Sequence, residues 1–305
     1  MKICTLTDLH FSFGNSFDTS VTNICDLVIY VGDIFNFDTI AKEQLSEALQ
    51  FVDDFISQVN KPFLFTLGNH DWILSTESTM LISKHIAQHP LHTGTCNENA
   101  TACYRTQPNI AMLYSGTYYC NNSDRGGCPA PADTQYIEEH LSHIHMLFTH
   151  IPPPQVIGMP FTGIQNERMC GATKICSWES TEPKLPNVVT DWHAFGHDHD
   201  NLFITKSTPK YTNLLKTGPY GYGPNLNHNT PDGGITVFTW NTNIEFDKHL
   251  LLDNTVLNVI PQTPCTLNCV TSSATRTFPM YMIMYTIMYT IMYTIMMYMK
   301  GTKHC

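Results

Sequence analysis

The sequence predicts an α/β domain with one or two central sheets, and three observations carry that prediction. Short apolar runs of strand length alternate with helical stripes through the first half. The second half is rich in turn-forming residues and short β runs. Hydrophobic residues make up 42% of the 305, enough to bury one large domain or two small ones and to exclude disorder of the whole chain.

Each element has its own local signal. Ile3 to Thr7 is apolar and stops at Asp8, and Asp26 to Gly32 is β-branched and aromatic and stops at Gly32-Asp33. From Thr39 to Val59, Leu45, Leu49, Val52, Ile56 and Val59 recur at spacings of three and four, the stripe of an amphipathic helix with Asp38 as its N-cap. Pro62 to Leu67 is a buried strand ending in Gly68-Asn69-His70-Asp71, and a helix is expected over Glu77 to Gln88. Leu91 to Ala132 is rich in Cys, Asn and Gly and holds one clear strand, Ile110 to Tyr114. Asp133 is expected to cap a helix with Ile137, Leu141 and Ile144 on one face, which makes His140, His143 and His145 solvated or groove-lining residues. Met146 to Thr149 is a strand running into His150, Trp192 to Phe195 one running into Gly196-His197-Asp198-His199, and Gly234 to Trp240 another. The domain is expected to span residues 1–253. Residues 254–305 form a low-complexity tail in which Met-Tyr-Thr-Ile occurs three times in succession from Met284 to Ile295. Thr and Tyr dilute its hydrophobicity, so a disordered or non-native tail is favoured over a membrane anchor.

Charge narrows the function. Lys and Arg number 16 against 26 Asp and Glu, a formal charge of −10 with no basic run, which excludes a phosphate-tracking nucleic-acid binder. An anionic substrate would then need metal ions to hold it, and the 15 His residues are suited to binding them. Of the 11 Cys, Cys4 lies in a predicted strand and reads as a buried free thiol; Cys96, Cys103, Cys120 and Cys128 cluster beside the sequons at Asn99 and Asn121. Cys170 with Cys176 reads as a structural bridge, and Cys265 with Cys269 as a disulfide or free thiols. The cluster leans toward an oxidising compartment. Because Met1 runs directly into a strand without an apolar signal region, a missing N-terminal piece would reconcile the two.

Five blocks each follow a predicted strand: Asp8-Leu-His10, Gly32-Asp33, Gly68-Asn69-His70-Asp71, His150, and Gly196-His197-Asp198-His199. Ligands of open α/β sheets bind beyond the carboxyl ends of the strands, so these side chains converge on one mouth. Glycine before Asp33, Asn69 and His197 lets the backbone turn sharply. Imidazole, carboxylate and amide donors suit a pair of divalent transition metals such as Mn, Fe or Zn, and Asp33 is the natural bridge between two ions.

The five blocks, in this order, resemble the calcineurin-like metallophosphoesterase superfamily. The resemblance implies a four-layer β-sandwich flanked by helices, with a dinuclear metal site at the carboxyl ends of the strands. It assigns one ion to Asp8, His10, Asp33 and His199 and the other to Asp33, Asn69, His150 and His197. A hydroxide bridging the ions would attack phosphorus in line, with His70 stabilising the developing charge or protonating the leaving oxygen and Asp71 orienting the His70 imidazole. Gly32 to Asp38, Phe148 to Pro154, Gly196 to Asn201 and Gly218 to Gly223 are similar to a narrower subgroup, the purple-acid-phosphatase-like (Dcr-type) proteins of plants and fungi. True purple acid phosphatases carry a Tyr three residues after the bridging Asp that ligates ferric iron; here the position is Asn36 and the first block supplies His10 instead, so no charge-transfer colour is expected. The resemblance implies a phosphomonoesterase acting on a phosphorylated small molecule or a phosphoprotein. The alternatives are a phosphodiesterase with the same site and a non-catalytic scaffold of the same fold.

Overall fold

A computed structural model describes residues 1–10, 19–35, 44–71, 76–115, 129–151, 185–197, 203–206, 211–216, 234–251 and 256–257. Among them the chain order is β1 (Lys2–Leu6), β2 (Leu27–Val31), α1 (Leu45–Val59), β3 (Phe63–Thr66), α2 (Thr76–Gln88), β4 (Thr95–Cys96), β5 (Ala102–Arg105), β6 (Ile110–Leu113), α3 (Pro131–His140), β7 (His143–Thr149), β8 (Val189–Phe195), β9 (Phe203–Lys206), β10 (Tyr211–Lys216), β11 (Gly234–Trp240), β12 (Ile244–Leu251) and β13 (Val256–Leu257).

These strands form two mixed sheets. One runs β13-β12-β11-β1-β2-β3, with β1, β2 and β3 parallel. The other runs β4-β5-β6-β7-β8-β10-β9, with β6, β7, β8 and β10 parallel. Every residue of β2 and β3 is buried, as expected of parallel strands covered on both faces. The sheets face each other: Trp192 of β8 meets Phe238 of β11 at 5.8 Å between ring centroids, and Thr66 Oγ1 of β3 donates to the Leu113 carbonyl of β6 at 3.0 Å. Helix α1 covers the outer face of the first sheet, where Phe55 lies 5.8 Å from Tyr30, and α3 covers the second through Ile137, packed with Ala111, Leu113 and Leu147. Two sheets between helices give the predicted α/β fold. Its parallel strands bring the ends of β1, β2, β3, β7 and β8 to one side.

Several elements differ from expectation. Helix α1 begins at Leu45, where the apolar stripe begins, and residues 36–43, including the expected cap Asp38, lie outside the described residues. Its end is a left-handed Asn60 (φ 47°) whose N–H returns to the Ile56 carbonyl at 2.9 Å. Helix α3 starts at Pro131, which needs no amide partner in a first turn, and stops at His140. Asp133 is therefore inside the first turn rather than its cap, and its carboxylate accepts from Asn97 Nδ2 and Thr101 Oγ1, both at 2.8 Å. Ile144, His143 and His145 belong to β7, not to a helical face. The Cys-rich stretch holds β4 and β5 as well as β6, two strands too short to leave a periodic signal.

Cys4 is not a free thiol. It is bonded to Cys25, two residues before the start of β2, which is the parallel neighbour of β1. A second disulfide joins Cys96 to Cys103. Asn99 is exposed on the turn between β4 and β5, while Asn121, the other cysteines, Gly218 to Gly223 and the repeat lie outside the described residues. Strand β13 extends the first sheet past residue 253. Among the described residues, no helix is long and apolar enough to cross a membrane.

Candidate metal centre

The site begins where parallel strands stop. Asp8 and His10 follow β1, Asp33 follows β2, Asn69, His70 and Asp71 follow β3, His150 follows β7 and His197 follows β8. Backbone pairing locks the loops together: Asp8 N donates to the Gly32 carbonyl at 3.1 Å, His10 N to the Asp33 carbonyl at 2.9 Å and Gly196 N to the His150 carbonyl at 3.0 Å. Asp8, His10, Asp33 and His197 all hold positive φ, at 52°, 47°, 50° and 76°. A left-handed backbone at non-glycine residues costs of order 1–3 kcal/mol each and persists where the surroundings over-determine it. Four such residues gathered in one site mark a place where side-chain direction takes precedence over backbone comfort.

Asp33 is the centre of the arrangement. Its Oδ1 accepts from His70 N at 2.7 Å, and its Oδ2 lies 3.0 Å from His150 Nε2 and 3.9 Å from His10 Nε2. Ligand atoms of His10, Asp33 and His70 lie within 4.8 Å of one another, and so do those of Asp33, His150 and His197. One buried carboxylate thus belongs to two ligand groups. Burial opposes its ionisation, but the charge and hydrogen bond of His150, with His10 and His70 beyond, hold it well below the usual carboxylate range.

His150 tests whether the residues fit a metal. It is fully buried, and its Nδ1 donates to the Val31 carbonyl at 2.8 Å, which directs Nε2 inward. There Nε2 meets two oxygens, Asp33 Oδ2 at 3.0 Å and Asn69 Oδ1 at 3.2 Å. A neutral ring with Nδ1 protonated would turn a lone pair toward those oxygens, so a cation must lie among them, either a proton or a metal ion. Without a metal, burial disfavours the imidazolium, yet the Asp33 charge and hydrogen bond push His150 up to about 9. A divalent ion satisfies the same three donors, and Asn, His and bridging Asp make a chemically consistent set for it.

The other expected residues fall around this centre. Asp8 is buried, its Oδ2 accepting from Thr7 Oγ1 at 2.7 Å and both its oxygens from His197 N at 3.1 Å. The His70 ring stands 4.7 Å from that of His10, and the His197 ring 5.2 Å from that of His150. Both Asp71 oxygens are taken by backbone, Oδ1 by Phe35 N and Oδ2 by Gly68 N, each at 2.7 Å. Asp71 therefore ties the loop after β2 to the loop after β3, and the expected contact to the His70 ring is not among its hydrogen bonds. Burial first, then the Asp33 charge, raises it to about 7. His199 lies outside the described residues.

Sequence reasoning missed Thr7 and the Val31 carbonyl, which orient Asp8 and His150. Neither has a motif, although both directly precede a block. It also gave one reason for three glycines. Gly32 does need its positive φ of 87°, whereas Gly68 is required because a Cβ there would strike the Asp33 carboxylate and backbone.

His193 packs in β8, fully buried with Nε2 2.9 Å from Thr149 Oγ1. His143 pairs with Asp191 at 3.0 Å, and His145 Nδ1 accepts from Asn109 N at 2.9 Å, which leaves the proton of the neutral ring on Nε2 and argues against ligation there.

Residues 1–201 match the calcineurin-like phosphoesterase family. No curated protein sequence matches the chain. Among solved structures the chain is similar to a dimetal phosphatase from Danio rerio, at 11% identity over 78% of this chain and 91% of the other, with a TM-score of 0.46. It is similar to GAP50, the anchor in the inner membrane complex of Plasmodium, at 12% identity over 88% and 90%, with a TM-score of 0.43. A third similar structure is Vps29 of Entamoeba histolytica complexed with zinc, at 11% identity over 84% and 96%, with a TM-score of 0.31.

Proposed function

The chain belongs to the calcineurin-like phosphoesterase family, and from that premise we propose that it is a dinuclear-metal phosphomonoesterase. The observation that carries the reading is the single Asp33 carboxylate common to two groups of ligand atoms. One ion would be held by Asp8, His10, Asp33 and His199, the other by Asp33, Asn69, His150 and His197. Two divalent ions, when bound, supply the positive charge for a phosphate ester and lower the pKa of attacking water.

The protein's own residues do the rest. The His150 Nδ1–H held by Val31 fixes the ring so that Nε2 faces the Asp33 and Asn69 oxygens, where it would bind a metal. Asp71, by joining two loops, keeps Asp33 and His70 at a fixed separation. His70, beside His10, gives a proton to the departing alcohol or stabilises the charge that gathers on phosphorus-bound oxygen. Preference for monoesters, and for phosphoproteins among them, follows the purple-acid-phosphatase-like motifs at Gly32 to Asp38 and Phe148 to Pro154. The two disulfides among the described residues are compatible with a secreted form.

The test is Asp33→Asn. It is expected to lose at least one ion per chain by elemental analysis and to lower kcat on p-nitrophenyl phosphate by three orders of magnitude or more. Full activity in this variant would end the proposal. Assay beside bis-p-nitrophenyl phosphate separates the ester classes, since faster turnover of the diester favours a phosphodiesterase. A metal-loaded wild type inert toward both, and toward phosphopeptides, favours a scaffold.

A further inference from the structure

Another ligand group lies outside the phosphoesterase site. One ring nitrogen of His92 and the sulfurs of Cys96 and Cys103 fall within 4.8 Å of one another, with His92 Nε2 4.0 Å from Cys96 Sγ. The two cysteines are directly opposed in the β4–β5 register and joined as a disulfide.

The backbone holds these three residues in place without help from the sulfur–sulfur bond. His92 bridges to Phe63 of β3, with Phe63 N donating to the Leu91 carbonyl and Thr93 N to the Phe63 carbonyl, both at 3.0 Å. The β4–β5 turn is closed by Asn97, whose Oδ1 accepts from Thr101 N at 2.9 Å and whose Nδ2 donates to Asp133 Oδ1 at 2.8 Å. Strand β5 is paired along its length with β6. Gly94 carries the chain close over the His92 ring, where a Cβ would come within 3.1 Å of Cε1. Opening the disulfide therefore frees two thiols without dispersing the group.

His92 is suited to bind a soft metal. Its Nε2 faces the Cys96 sulfur at 4.0 Å, so an imidazole nitrogen already stands beside the two sulfurs. An imidazole binds a metal through the lone pair of one ring nitrogen while the other keeps its proton.

We propose that the reduced β4–β5 hairpin is a zinc site made of Cys96, Cys103 and His92, with water as the fourth ligand. A dithiol reductant gives the disulfide two electrons and two protons and leaves as its own disulfide. Zn²⁺ then displaces one proton from each thiol and takes the imidazole lone pair. Two thiolates and an imidazole are a zinc-type donor set. Zn–S bonds of about 2.3 Å in a tetrahedron set the sulfurs about 3.8 Å apart, within reach of cysteine side-chain rotation. The hairpin would be clipped by a covalent bond under oxidising conditions and by zinc under reducing ones.

The test compares Zn²⁺ bound per full-length chain before and after phosphine reduction, with Cd²⁺ as a probe whose ultraviolet charge-transfer band reports thiolate ligation. The dinuclear site carries no cysteine and is present in both samples, so it cancels in the difference. Reduced wild type is expected to bind one more Zn²⁺ than oxidised and to show the cadmium band. Cys96→Ser with Cys103→Ser removes that increment, Cys4→Ser with Cys25→Ser keeps it, and His92→Gln weakens it tenfold or more. No increment in reduced wild type overturns the proposal without recourse to any variant. So does an increment that survives in the Cys96/Cys103 variant, or affinity unchanged by His92→Gln.

Discussion

At position 32 a methyl group is too much. A Cβ on Gly32 would lie 2.6 Å from Cγ and Nδ1 of His150, and the φ of 87° is itself unfavourable for any L side chain. Gly32→Ala is expected to destabilise the fold by roughly 2–4 kcal/mol in denaturant unfolding and to weaken metal retention by turning the His150 ring. Asp71→Asn separates two roles. Loss of a carboxylate that holds both Phe35 N and Gly68 N should cost about 1–3 kcal/mol of stability. If Asp71 acted by orienting His70 instead, kcat would fall with stability unchanged. At this scale the sequence was informative wherever chemistry demands a residue type: Asp8, His10, Asp33, Asn69, His70 and His150 all stand at strand ends because each was read with the strand before it. It was silent where a backbone atom or a common hydroxyl does the work, as at Val31 and Thr7.

Elements were legible in proportion to their length and pattern. The stripe of α1 and the continuous apolar runs of β2 and β3 are strong signals, whereas the two residues of β4 and four of β5 offer no period. His143 and His145 flank Ile144 in a way that reads equally as the end of a helix or the start of a strand; the chain breaks at Leu141, whose extended backbone ends α3. The Cys4–Cys25 bond was hidden because its sequence separation of 21 says nothing about the register of β1 on β2. Closing a loop of that length restricts the unfolded chain by about 3 kcal/mol. Cys4→Ala with Cys25→Ala should lower the unfolding free energy by that order while leaving the metal site loaded. The connection from α2 to β4 gives a pH signature. Burial, reinforced by His89, lowers His92 from 6.5 to about 4, so the unfolded chain takes up a proton in this window and the folded chain does not. Stability is therefore unaffected above 6.5 and falls as pH drops toward 4, by at most about 3 kcal/mol from this residue. His92→Gln should flatten that part of a stability–pH curve.

For the whole molecule, a charge of −10 and buried Asp8, Asp33 and Asp71 around one sheet edge mean that bound cations would stabilise the fold as well as serve the proposed chemistry. Metal at a hundredfold excess over its dissociation constant adds about 2.7 kcal/mol per site. For a domain of this size, chelation of both ions should lower Tm by roughly 10–20 °C, and divalent metal should restore it. With no basic run in the chain, recognition of a phosphate ester would fall to the metal centre rather than to a basic patch. The most direct measurement is anomalous diffraction from crystals of the metal-loaded protein, collected at the metal absorption edges. The account predicts two peaks flanking the Asp33 carboxylate, one beside His10 and one beside His150. A single peak bound away from Asp33, or two peaks that do not share it, would contradict it.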